Sequence, residues 1–588
     1  MTRSARTAFV LLVIATFGGF YVAQHLRHSE PVVLGVRVTP TFSPTGSGPR
    51  TAAVSFYLKR SDIAAVSVVD NRGDEVRTLA EGRAIGKRTR TQFVWDGNDE
   101  TGKPAPDGWY RYRIGLARQG RSLTVPNGVR LDTTPAVPVV KQVDPSHGPG
   151  PLILPGAKLV VGRLGGTRGR NVEGFVLRTD TNPSRVVKRF PLPDNATSVR
   201  WDGRIYGHQA PEGVYLLGVT ETDSAGNRGS TPARLAPVAG PPRGKPGVTV
   251  RRLGVQAPST PVQAGGAIQV AVDARGHAFE WSLRPATGGA LLAHGKGKGT
   301  KVSVRVPSKA NGVTVLTVAG NNSRVAVPIA VTSGNKDLLV VLPAIRWQGL
   351  APVDGDGDGL PDLLPLGRSA SADRLMPALK EGLDGWKSKV LPLLTLMAQN
   401  RIKADATTDI ALSQGRGPKM ADYNGIVLAG EETWLPAQLL KGIRNRVTGG
   451  KRVLDLGLDS LRRTVNVSGA VISRPGRPAE EDALGGVRSA EQADSAYQLE
   501  WKDTIGLFST TGGRIFAPAG WSGIAKVQPP GTFVAAAGPE AGIAGISAWK
   551  LGKGLYIRPG IPNIAANALA GPTLQSFLTR ALFITAGH

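Results

Sequence analysis

The sequence predicts a multidomain chain: an N-terminal membrane helix, tandem β-sandwiches, then an α/β domain with a mostly parallel sheet. Three observations carry this expectation. Residues 8–23 form an apolar run without a charge, set behind Arg3 and Arg6. A motif, Trp-Asp-Gly followed by Pro-x-Gly-x-Tyr, occurs at Trp95 and again at Trp201. Beyond Gly334 the apolar pattern changes from alternation to solid runs separated by helical stretches. At 588 residues the chain is too long for one hydrophobic core and divides into several domains.

The N-terminal run decides the expected compartment. The charges precede it, so the N-terminus stays inside and the bulk lies outside the membrane. The run ends at Gln24, His25 and Arg27, short of the roughly 20 residues that span a bilayer. A cleaved signal needs small residues in an Ala-x-Ala arrangement, and cutting after Ala23 would place bulky Tyr21 three residues back. Residues 1–30 are therefore read as a signal anchor in the cytoplasmic membrane, making a single-pass cell-membrane protein. Secretion after cleavage is the alternative.

Composition bounds the partners. Lys and Arg number 72 against 44 Asp and Glu, a formal charge of +28, which favours anionic partners such as the polyanions of a cell wall. The basic residues are scattered singly, as at Arg111, Arg113 and Arg118, so there is no specific nucleic-acid signal. With no cysteine, disulfides, thiol catalysis and thiolate metal sites are excluded.

Two β modules follow, expected over 31–138 and 139–240. In each, Trp-Asp-Gly reads as a strand ending in a tight turn with the indole buried. From Trp to Tyr the spacing is 15 residues in the first copy and 14 in the second. After the Pro-x-Gly turn, Tyr110, Tyr112 and Ile114 alternate with Arg111 and Arg113, the signature of a half-buried strand. These segments, with the opening stretch Val38 to Gly48, resemble the immunoglobulin-like domain of the flagellar hook-capping family. Relatives often carry an acidic residue where Thr45 and Ser47 stand, so no metal is expected there. Thr222 to Asn227 resembles the terminal hairpin of bacterial immunoglobulin-like repeats. A third β-sandwich is expected over 247–334, after a Pro/Gly-rich linker, from alternation at Val302, Val304 and Val306 and from Val313 to Val331.

Residues 335–588 read as the α/β domain. Leu338 to Leu342, Ile426 to Ala429 and Val453 to Leu456 are buried strands, and Lys380–Ile402 and Ala437–Val447 are helical. Leu339 to Pro343, Trp347-Gln348, Thr408 to Leu412, Gly425 to Trp434, Gly449-Gly450 and Gly552 to Gly554 resemble the large subunit of the N,N-dimethylformamidase family. That resemblance implies a glutamine-amidotransferase-like fold. It also implies an iron held by tyrosine and glutamate, with amide hydrolysis as the reaction.

The residues for catalysis are thin. A glutamine amidotransferase carries its cysteine on the turn after a buried strand, and the matching turn, Asp455 to Asp459, has no nucleophile. His588 is the only histidine beyond Gly334, so no triad assembles within the domain. Relatives often read Gly-His-x-Glu-Tyr-Trp where this chain has Gly430-Glu431-Glu432-Thr433-Trp434. Glu431 and Glu432 equally suit the first turn of a following helix, whose dipole they would complement. Tyr423, Tyr497 and Tyr556 are the remaining phenols, at spacings that suggest no site.

The positive constellation is Asp354, Asp356, Asp358 and Asp362 in the run Asp354 to Asp362. Carboxylates at relative positions 1, 3, 5 and 9, with glycine at 6, fit an oxygen-rich calcium loop. It resembles the loops of thrombospondin type 3 and dockerin repeats. Pro365 at position 12 departs from an EF-hand, so further ligands must come from elsewhere; a solvated Asp-Gly loop is the bland alternative. The expected function is a non-catalytic, membrane-anchored surface protein presenting a degenerate amidotransferase-like domain for binding or envelope assembly. The alternatives are a metal-dependent amide hydrolase and a calcium-dependent adhesin for cell-wall or other polyanions.

Overall fold

The computed structural model describes residues 3–27, 32–144, 152–153, 159–166, 169–493, 496–518, 520–539 and 542–588. The chain is multidomain and mostly β, with its sheets paired into sandwiches along the first half.

The first sandwich faces a three-stranded sheet (Val33–Val38, Ala52–Leu58, Thr91–Trp95) with a six-stranded one that includes Asp62–Val69 and Gly108–Leu116. Its core interleaves Val54, Phe56 and Trp95 with Val66, Val68, Tyr110 and Tyr112. The strand Gly108–Leu116 buries Tyr110, Tyr112 and Ile114 and turns Arg111 outward, with Arg113 half-buried on that same face, as the period-2 pattern requires.

The repeated motif forms the same small structure twice. Trp95 and Trp201 are both fully buried. Each indole N–H donates to a carbonyl in the turn that follows, Asn98 O at 2.8 Å and Arg204 O at 3.0 Å. Asp96 and Asp202 each accept the amide two residues on, at 3.0 Å. Gly97 and Gly203 take φ of +90° and +69°, which only glycine adopts without strain. Tyr110 packs edge-on against its indole and Tyr215 at a tilt, at 4.8 and 5.3 Å between ring centres. Their hydroxyls donate back to Pro106 O (2.6 Å) and Pro211 O (2.8 Å).

The second sandwich extends past the expected linker. Gly247–Val250 pairs antiparallel with Gly213–Thr222, and Gly244–Lys245 pairs with Pro138–Asp144, so this stretch closes the second module instead of opening the third. The turn between Gly213–Thr222 and Arg228–Thr231 meets the first module at a joint. Ser47 N and Oγ both donate to Gly226 O, at 2.8 and 3.0 Å, and Asn227 Nδ2 donates to Asp132 O at 2.7 Å. The third sandwich runs from Gly254–Gln256 to Ser323–Thr332 and recruits Met376–Pro377 from the next domain as an edge strand.

The C-terminal domain holds a nine-stranded sheet. Asp405–Thr408, Leu338–Leu342, Gly425–Leu428, Arg452–Asp455 and Gly554–Pro559 lie parallel in that order. Ile546–Leu551, Thr532–Gly538, Ala496–Asp503 and Arg514–Ala517 continue it antiparallel. The sheet is therefore mixed, not mostly parallel. The short turn at Gly552-Lys553 can join only antiparallel neighbours, whereas parallel ones need a crossover. The helical reading of 380–402 narrows to Trp386–Val390, a π-helical turn, and Leu391–Gln399.

At the N-terminus Arg3–Arg27 is helical. Side chains are described there from Phe9 to Tyr21, and Phe9, Leu12, Phe17 and Tyr21 are each exposed. Among the described residues no helix is long and apolar enough to cross a membrane.

Candidate functional site

Two places gather chemistry: the carboxyl ends of the parallel strands, where open α/β sheets put their ligands, and the Asp-rich loop.

At the strand ends, four acids are buried. Asp409 follows Asp405–Thr408 and accepts the amides of Ile345 (3.0 Å) and Ile410 (2.7 Å), so it orders the helix Ala344–Leu350. Burial lifts its pKa to about 7. Asp455 accepts the Tyr556 hydroxyl at 2.7 Å and the Gly457 amide at 2.9 Å; burial lifts its pKa to about 6.

Glu431 and Glu432 do not open a helix; the next one begins at Ala437, behind Pro436. Glu431 instead reaches across to the amides of Leu458 (3.1 Å) and Asp459 (2.9 Å) and pairs with Lys389. Burial works against its charge, but Lys389 and these amides hold its pKa below the usual carboxylate range. Glu432 is 1% exposed and neither carboxyl oxygen meets a partner among the described residues. Burial, then the charges of Asp455, Asp409 and Glu431, push its pKa well up. Ser460, also buried, accepts the Glu432 amide at 3.1 Å.

The residues present do not fit the tyrosine- and glutamate-bound iron that the dimethylformamidase resemblance implies. Tyr556 is committed to Asp455. Tyr423 donates to Asp405 at 2.9 Å, at the opposite end of the strands. Tyr497 is exposed beside Phe516. Lys389, not a metal, neutralises Glu431.

In the Asp-rich loop, Asp354, Asp356 and Asp358 each offer an oxygen within 4.8 Å of the others. Oxygens at about 2.3–2.6 Å from one calcium can be that far apart, so these three fit such an ion. Asp362 does not join them. Its Oδ2 takes the Gly355 amide at 2.8 Å, and its Oδ1 faces the Arg368 guanidinium at 3.6 Å. Arg368 also lies 2.6 Å from Asp358 and 3.7 Å from Asp356. Asp354 accepts the amides of Gly357 (2.7 Å) and Gly359 (2.8 Å). Burial, aided by the charges of Asp358 and Asp356, still lifts its pKa to about 7; burial takes Asp362 to about 6.

This loop is also a joint. Gly247 N donates to Gly357 O at 2.9 Å, and Thr179 Oγ1 donates to Gly359 O at 2.6 Å. Leu360 packs among Phe175, Leu177, Leu216 and Ala239 of the second sandwich. A cleft of about 490 Å³ lies alongside, walled by Thr179, Arg234, Pro361 and Arg368. A second, of about 680 Å³, lies between Arg178 and Glu212 on one side and Trp347 and Lys387 on the other.

Sequence reasoning named the loop acids and the Glu pair but missed Lys389, Ser460 and Arg368. None sits in a motif; each is brought in by tertiary structure.

No protein-family model matches this chain, and no curated protein matches it. Among solved structures it is similar to the FN1–FN3 domains of chicken CNTN1, at 12% identity and a TM-score of 0.17, over 50% of this chain and 97% of that one. It is also similar to the β-galactosidase of Bacillus circulans sp. alkalophilus, at 13% identity and a TM-score of 0.23, over 34% of this chain and 28% of that one. Likeness this loose carries no argument about function.

Proposed function

We propose that this chain is a membrane-anchored, extracytoplasmic scaffold protein whose C-terminal domain, a degenerate relative of the amidotransferase-like fold, binds without turnover. The observation that supports this reading is the state of the acids at the strand ends. Asp409 and Asp455 are held by amides and a phenol, Glu431 by Lys389, and Glu432 is closed off from solvent. The full chain, purified in detergent and supplied with iron or zinc, should turn over no simple amide. Hydrolysis that is lost in Glu431→Gln or Glu432→Gln would overturn the reading.

The anchor reading is supported by the exposed apolar side chains of the helix Arg3–Arg27, among them Phe9, Leu12 and Phe17: large side chains exposed in a row are costly in water and suit lipid. The chain should stay with membranes through a high-salt wash and leave them when residues 1–27 are deleted. Release by salt alone would instead indicate a purely electrostatic hold by the basic surface.

Calcium is the ion this reading assigns to Asp354, Asp356 and Asp358. Bound there, it would neutralise like charges that burial forces together and brace the joint with the second sandwich. Calcium should raise the melting temperature of the parent and leave the Asp354→Ala/Asp356→Ala/Asp358→Ala variant unmoved. Identical melting of the parent with calcium and with chelator removes the assignment.

A further inference from the structure

Behind the strand ends, the C-terminal domain buries two arginines whose hydrogen-bonding capacity the protein does not use up. Arg558, in Gly554–Pro559, is fully buried. Its terminal nitrogens donate to Ser522 O (2.7 Å), Ser522 Oγ (3.1 Å) and Leu458 O (3.2 Å), and its Nε meets no acceptor. Arg488, in Gly486–Ala493, is 7% exposed at its side chain, and none of its three nitrogens meets an acceptor among the described residues.

The acids nearby do not resolve this. Asp482 Oδ2 stands 3.8 Å from Arg488, beyond hydrogen-bonding reach, while its Oδ1 accepts the amides of Leu484 (2.9 Å) and Gly486 (3.0 Å). Both oxygens of Asp455 are taken, by Tyr556 and Gly457. Among the described residues neither carboxyl oxygen of Glu432 meets a donor, so neither serves these arginines. Among the described residues, five N–H groups of Arg488 and two of Arg558 are therefore left with a single spare carboxylate oxygen, Asp482 Oδ2. Arginine, unlike lysine, cannot shed its proton to escape burial. The two cations share one neighbouring strand, Trp521–Val527: Arg488 pairs opposite Ile524 and Arg558 donates to Ser522; burial, then Arg488, bring the Arg558 pKa down to about 10.

A buried surplus of donors on two neighbouring cations calls for acceptor oxygens carrying negative charge. The planar fork of a guanidinium matches a carboxylate or phosphate with two parallel hydrogen bonds. We propose that Arg488 and Arg558 form an interior oxyanion site, in which Arg488 grips a carboxylate, phosphate or sulfate group and Arg558 lies beside it. The site gives the non-catalytic domain a ligand class. It depends on neither the anchor nor calcium, and absence of turnover leaves it standing.

The test titrates acetate, inorganic phosphate and sulfate separately into the full chain in detergent, at constant ionic strength set with chloride. Trp549, 4.5 Å from Tyr556 between ring centres, supplies a fluorescence signal within the same polar cluster. At least one ion should bind saturably, one per chain, and raise the melting temperature where chloride does not. Arg488→Met should abolish that binding, and Arg488→Lys, which keeps charge without the fork, should weaken it about tenfold or more. The identity of the tightest ion separates a carboxylate ligand from a phosphate or sulfate ester. If no ion binds saturably to the parent, or if Arg488→Met or Arg488→Lys binds as tightly as the parent, the site does not exist and interior water serves these donors. Should Arg488→Met fail to fold, the parent titration and Arg488→Lys decide.

Discussion

Gly247→Ala tests whether the Asp-rich loop is a structural joint. Gly247 lies at the start of the strand that closes the second sandwich, and its amide donates to Gly357 O at 2.9 Å. A Cβ added there would fall 2.6 Å from Gly357 O and inside contact distance of Asp354 Oδ2 and Gly359 N. The crowding is against backbone, which cannot swing aside. Overpacking of this kind costs about 1–3 kcal/mol, and loss of the amide bond adds about 1 kcal/mol. The loop should therefore be released from the second sandwich by about 2–4 kcal/mol.

Hydrogen exchange reads that quantity directly. The amides of Gly357 and Gly359 are tied to Asp354 only while the loop keeps its folded shape. At tenfold per 1.4 kcal/mol, their exchange should quicken by about 30-fold to several hundred-fold. Amides of the distant strand Gly108–Leu116 should exchange as in the parent. A folded Gly247→Ala protein whose loop amides keep parental protection would show that the loop does not lean on the second sandwich.

Three further outcomes follow from the same geometry. Asp354 and Asp409, lifted to about 7, and Asp362 and Asp455, lifted to about 6, bind protons more tightly folded than unfolded. With chelator present, stability should therefore rise as pH falls from about 7.5 toward 4.5; a melting temperature that drops steadily over that window contradicts it. Glu431→Gln breaks a buried pair with Lys389 and should cost about 3–5 kcal/mol in urea denaturation. Glu432→Gln, which among the described residues removes no hydrogen bond or ion pair of the carboxyl group, should change stability by less than about 1 kcal/mol at pH 7. Tyr110→Phe and Tyr215→Phe each lose the same hydroxyl-to-carbonyl bond and should cost similar amounts, about 0.5–1.5 kcal/mol, a parity that unequal motifs would not give.

What the sequence disclosed was local. Trp95 and Trp201 could be placed in their turns because the determinants, an aspartate, a glycine and a tyrosine at fixed spacing, all lie within one hairpin. The runs Leu338 to Leu342 and Ile426 to Leu428 were legible because a strand covered on both faces leaves no alternation. The antiparallel half of the large sheet was not legible, since its strands from Ala496 to Leu551 carry mixed patterns that tertiary pairing decides. The polar cluster was hidden for the same reason. Lys389, Glu431 and Asp459 meet from three separate segments, as do Leu458, Ser522 and Arg558. Spacing fixes that Asp362 enters the loop but not which way its carboxylate turns when the Gly355 amide competes for it.

The Asp-rich loop shares a second property with other loops of the chain. The Thr45 to Gly48 stretch meets Gly226 of the next module, and the turn from Asp223 to Asn227 reaches back to Asp132. The Asp-rich loop meets Thr179 and Gly247, and Ser259 of the third sandwich accepts the Thr408 hydroxyl at 2.8 Å. Short loops rich in Asp, Gly and Ser keep backbone donors and acceptors that no ladder has used, and such groups are the ones available to fasten one domain to another. In a chain of modules, then, an Asp-Gly loop serves first as a joint. An ion bound in it would act on the angle between domains before it acted on any substrate.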